Sequence, residues 1–216
     1  MTERPNFEGA RQYALDRLAH ELPPNLHYHS LEHTRDSVAP AVDRLAALSG
    51  VDGEVLLLLR TAAYYHDIGW VVPPGNGPHE LLGIGIAHEA LPGFGYNPAQ
   101  VEVIAGMIMA TCLPQAPHNL PEEILADADL DVLGRDDFWE WNRRLRAEME
   151  ASGRVVGDEE WYAEQQHFLQ EHHYWTAAAR GLRDAGKQKH LAMIADLLGS
   201  SSHGEGREGR ESVKEA

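Results

Sequence analysis

Apolar residues recur at three- and four-residue spacing along most of this chain. Nothing alternates with the two-residue period of a strand for long enough to build a sheet, and this pattern predicts an all-α fold. Phe7, Ala10, Ala14, Leu15 and Leu18 mark a first helix that Pro23-Pro24-Asn25 ends. Val38, Val42, Leu45 and Leu48 mark a second, from about Ser30, with Pro40 inside it predicting a kink or a break. A third is expected over Glu54–His66, with Asp52 as its cap. Further helices are expected at about 79–91, 98–112 and 121–133, the middle one with Pro98 in its first turn. The third of these opens on Glu122-Glu123 at the positive end of its dipole. Amphipathic stretches at 136–151 and 158–183 and a last helix at about 186–198 complete the set, and Trp139, Trp141, Trp161 and Trp175 on them read as helix-contact residues. Val71–Pro78 and Leu113–Pro121, with three prolines each, read as loops. From Gly199 the composition turns to Gly, Ser, Glu and Arg, which predicts a disordered tail over 199–216.

The chain has 216 residues, enough for one domain with a sizeable core, and its formal net charge of −16 argues against nucleic-acid polymers and anionic membranes as partners. A single cysteine, Cys112, excludes an intrachain disulfide and a multi-cysteine zinc site, and reads as a small buried hydrophobe. No apolar run approaches the roughly 20 residues of a membrane span, and no leader pattern opens the chain, so the expected location is the cytoplasm. The compositional oddity is 13 histidines.

Chemistry concentrates where the third helix runs out, at Tyr64-Tyr65-His66-Asp67-Ile68-Gly69. An imidazole and a carboxylate side by side at the edge of a core suit a divalent metal. Within a regular helix neighbouring side chains diverge by about 100°, so one ion cannot easily take both. At a helix end the backbone can turn, with Gly69 supplying the freedom. His29 and His33, four residues apart in Tyr28-His29-Ser30-Leu31-Glu32-His33, can point into one cavity. Downstream, Asp127, Asp129 and Asp131 interrupt an apolar helix, where a carboxylate is costly unless paired, hydrogen-bonded or bound to metal. Asp127 and Asp129 lie about 200° apart, so one ion is not expected to take both.

A histidine, then a His-Asp doublet, then a distant aspartate in an Ala-Asp pair, all on helices, resembles the HD-domain superfamily of metal-dependent phosphohydrolases. The resemblance covers about residues 25–134, through Tyr-His-x-x-x-His, Tyr-His-Asp-Ile-Gly and Ala-Asp-Ala-Asp-Leu taken in that order. It implies an N-terminal helix over 1–24, a metal-binding core over 25–134, and C-terminal helices over 135–198 completing the same domain. Carried over by position, His33, His66, Asp67 and Asp129 are the implied metal ligands, with Asp127 as the alternative to Asp129. His29 matches the position of a proton donor to the leaving group, although Tyr-His-Ser stands here for the Tyr-His-Asn of that branch. His79 and His118 match positions that hold a second metal or a substrate phosphate. The Met107–Cys112 segment lacks the histidine of two-metal members, which favours one ion over two.

The implied function is hydrolysis of a phosphoester or phosphoanhydride in a small substrate, a nucleotide or other phosphorylated metabolite, by a metal-activated water. A His/Asp ligand set admits Mn, Fe, Zn, Co, Ni or Mg. The alternatives are a non-catalytic metal- and nucleotide-binding sensor and an HD-type di-iron oxygenase, and a homodimer is left open. One or two cations among Arg35, Arg60, Arg135, Arg143, Arg144, Arg180, Arg183 and Lys187 are expected to aim at the phosphate.

Overall fold

The computed structural model describes residues 4–73 and 77–204, and every regular element among them is helical. Helix α1 (Phe7–Glu21) is capped by Asn6, whose side chain accepts from the Gly9 N–H. A π-helical segment, His33–Val38, runs directly into α2 (Ala39–Leu48). The expected disturbance at Pro40 takes this form: wider turns lie just ahead of the residue that has no N–H, and Ala39 donates five residues back to the Thr34 carbonyl.

Helix α3 (Gly53–Tyr65) is the central rod, packed against α1, α2, α5 (Pro98–Met109) and α6 (Leu120–Asp129). Asp52 stands at the start of α3, but its side chain makes no capping bond there. Asn97 and Gln100 form a capping box at α5 with Pro98 in the first turn, and Asn119 caps α6. Helix α4 (His79–Ala90) packs on α5 and on a 3₁₀ turn, Ile68–Val71, that follows α3. Helices α7 (Phe138–Ala151), α8 (Asp158–Glu171) and α9 (Ala177–Gly204) close the other side, α9 against α8 and the 3₁₀ turn Asp131–Gly134. The buried core is continuous from Ala10 on α1 to Ile194 on α9.

The C-terminal third departs from the expected boundaries. The stretch 158–183 is two helices, not one, and the second continues through the expected gap near Gly186. The break at 172–176 contains neither glycine nor proline; it is imposed from outside by buried Asp127. Its carboxylate accepts from the N–H groups of Trp175 (2.7 Å) and Thr176 (2.8 Å) and from the Thr176 hydroxyl (2.7 Å). Thr176 Oγ1 in turn accepts from the Ala179 N–H at 3.0 Å, which caps α9. Gly186 does not break α9 because its glycine serves close packing: a Cβ there would lie 2.1 Å from the Gly134 carbonyl oxygen. Helix α9 also runs to Gly204, past the expected end of order at Gly199; the rest of the expected tail, 205–216, lies outside the described residues. Part of the expected 71–78 loop, 74–76, does so as well.

Candidate metal centre and adjoining cavity

Three elements deliver four side chains to one point. His33 comes from the π-helical segment, His66 and Asp67 from the end of α3, and Asp129 from the last residue of α6. His66 still has helical dihedrals, whereas Asp67 has left them (φ −100°, ψ 2°) as the chain enters the 3₁₀ turn. That change lets neighbouring side chains face the same centre. The turn does not depend on a special conformation of Gly69. The glycine is required because a Cβ there would lie 1.9 Å from the His79 carbonyl oxygen, so Gly69 is what lets α4 start against the site.

Coordinating atoms of His33, His66 and Asp129 lie within 4.8 Å of one another. His33 Nε2 is 3.1 Å from Asp129 Oδ1 and 3.6 Å from Asp67 Oδ2, and His66 Nε2 is 3.3 Å from Asp67 Oδ2. His66 Nδ1 donates to the Ala63 carbonyl at 2.8 Å, which fixes the tautomer and turns the Nε2 lone pair into the cluster. His66 Nε2 and Asp67 Oδ2 are buried and make no hydrogen bond, despite their proximity. Orphaned buried acceptors are costly. Converging on one point, with two carboxylates beside two imidazoles, these atoms fit a divalent cation in both donor type and charge.

The electrostatics point the same way. Burial would raise the Asp67 and Asp129 carboxyls, but the His66 imidazole at both, with His79 at Asp67 and His33 at Asp129, holds them well below the usual carboxylate range. Burial likewise opposes a charged His66, yet Asp67 and Asp129 outweigh it and raise its pKa. The pocket attracts positive charge strongly.

The remaining expected residues divide. His79 Nε2 is 3.1 Å from Asp67 Oδ1, the oxygen turned away from His66. His29 lies on the same side, its ring 4.8 Å from that of Trp70, which stacks on His79 at 4.5 Å. His118 is exposed, and its N–H donates to Glu122 (2.7 Å). Asp127 faces away from the cluster, committed to the start of α9. Asp131 is buried between Arg183 and Arg44 as a structural ion pair.

Glu148, which the sequence did not single out, organises the acid side of the site. Its Oε1 is 2.5 Å from His29 Nδ1, and its Oε2 accepts from the N–H groups of Tyr28 (2.8 Å) and His29 (3.0 Å). Burial disfavours charge on His29, but the Glu148 hydrogen bond, together with the Asp67 charge, raises its pKa. On an amphipathic helix such a glutamate looks like any solvated charge.

Beside the His/Asp cluster opens a cavity of about 610 Å³, reached by His29, Asp67, His79 and Asp129. Cys112 is half-buried in its wall, not sealed in the core. None of the cations expected to aim at a phosphate lines it. Arg35, Arg60, Arg135, Arg144 and Arg183 are held by carboxylates; Arg143, Arg180 and Lys187 donate to backbone carbonyls. Arg154 is the one arginine or lysine in the wall among the described residues, and it is paired with Glu164.

No family model, curated protein or solved structure matches this chain.

Proposed function

We propose that this protein is a metal-dependent phosphohydrolase acting on a phosphoester of a small substrate. The observation that carries the reading is the pair of orphaned buried atoms, His66 Nε2 and Asp67 Oδ2, facing His33 and Asp129 beside a ligand-sized cavity that Asp67 and Asp129 line. His33, His66, Asp67 and Asp129 would hold the cation. When bound, it supplies Lewis acidity and lowers the pKa of water. The chain's own residues supply the rest. Asp67 presents one oxygen to the cluster and the other to His79, fixing the imidazole at the cavity edge. Glu148 holds His29 by Nδ1, leaving Nε2 to carry a proton towards a departing oxygen.

The test is metal analysis of protein purified without added ions, followed by phosphate release from a panel of phosphoesters with Mn²⁺. Activity lost equally with chelator, His66→Ala and Asp67→Ala supports the reading. Metal-loaded protein that releases no phosphate from any of them refutes it.

A further inference from the structure

The far wall of the cavity is built by two helices that present one face each. Trp141, Leu145 and Met149 follow at four-residue intervals on α7, and Trp161, Gln165 and Phe168 occupy one face of α8. Most of its polar groups are engaged with one another. Trp161 Nε1 donates to Asn142 Oδ1 at 2.9 Å, Asn142 Nδ2 donates to Gln165 Oε1 at 2.7 Å, and Arg154 is paired with Glu164. Leu130, Val132, Leu133 and Phe138 continue the apolar lining towards Asp129. At the metal end, Thr111 Oγ1 already donates to the Ile108 carbonyl at 2.8 Å.

A ligand in this cavity therefore meets one polar end and one apolar body. The polar end, with the cation site and His29, accommodates a single phosphoryl group. A second phosphate would have to lie against rings and methyl groups or beside Glu80 and Glu164, with the one wall arginine already neutralised. Near His79, Trp70 Nε1 and Glu80 Oε2 make no hydrogen bond and could meet a hydroxyl or a base edge there. Along the rest of the lining, which is mostly carbon, such groups would lose water without gaining partners. Resting on the phosphohydrolase reading above, we infer that the substrate is a phosphate monoester of an apolar alcohol, aryl or branched alkyl, with the organic group buried between α7 and α8. This departs from the nucleotide expected by resemblance.

The experiment is calorimetric titration of the manganese-loaded full chain with 1-naphthylmethylphosphonate, methylphosphonate and AMP, alongside hydrolysis of 1-naphthyl phosphate. The naphthyl ligand is expected to bind at least tenfold more tightly than either competitor. Leu145→Gln, polar at similar size, should remove that advantage and leave methylphosphonate affinity within about twofold. AMP binding as tightly as the naphthyl ligand, equal affinity for the two phosphonates, or no binding of any ligand overturns the inference. Tight naphthyl binding without hydrolysis of the ester upholds the apolar chamber and overturns the hydrolase reading. Hydrolysis of AMP in preference to the naphthyl ester does the reverse.

Discussion

Glu148 Oε1 lies 2.5 Å from His29 Nδ1 across 119 residues of sequence, while the other oxygen of the same carboxylate takes the N–H groups of Tyr28 and His29. The carboxylate thus fixes both the backbone and the ring of one histidine. Glu148→Gln should keep the shape and lose the charge. With burial no longer outweighed, the His29 pKa falls, so the alkaline limb of the kcat profile should move to lower pH. At neutral pH we expect a loss of roughly ten- to hundredfold in kcat. Metal content should be unchanged; an unshifted profile would show that His29 does not donate the proton.

Asp127 and Asp129 should separate cleanly. Wild type should show a rise in Tm on adding Mn²⁺, and Asp129→Ala should abolish both that rise and metal uptake measured by elemental analysis. Asp127→Ala should keep the metal and lose about 2–4 kcal/mol in urea denaturation, because three donors are left without an acceptor. The opposite pattern would exchange their roles.

Gly186→Ala tests the packing of α9 on the 131–134 turn. The added methyl meets backbone, which cannot swing aside, so about 1–3 kcal/mol of stability should be lost. Gly181→Ala, with open space around its Cα, is the control and should be neutral or slightly stabilising. A neutral Gly186→Ala would mean that the two segments are farther apart than described.

His172 gives a pH dependence of stability. Burial, with Lys187 and His173 nearby, lowers its pKa from 6.5 to about 3. Between those values the unfolded chain binds the proton and the folded chain does not, so stability falls as pH drops from 6.5 towards about 3. The slope is at most about 1.4 kcal/mol per pH unit from this group. Urea midpoints for wild type and His172→Gln should converge as pH falls from 7 to 5; parallel curves would place His172 in solvent.

The sequence was legible where local chemistry decides structure. The helical class, Pro98 in the first turn of α5 and most of the proline-rich 113–121 loop, which ends where α6 begins at Leu120, follow from residues a few positions apart. The meeting of His33, His66 and Asp129 was legible only as a pattern of residue types, and its geometry needed the fold. What was not legible depends on partners remote in sequence. Nothing in His172–Thr176 says that a helix stops there, because Asp127 stops it. Gly69 reads as a hinge until α4 is seen to need the space. Glu148 reads as a surface charge until His29 is placed beside it.

The short helix that ends in Asp129 carries a second consequence. Two residues before the carboxylate that faces His33 and His66, Asp127 anchors the joint between α8 and α9 from the opposite side of the same rod. The carboxylate that meets His33 and the one that stops a helix thus share a single turn of α6, so the placing of either fixes the other.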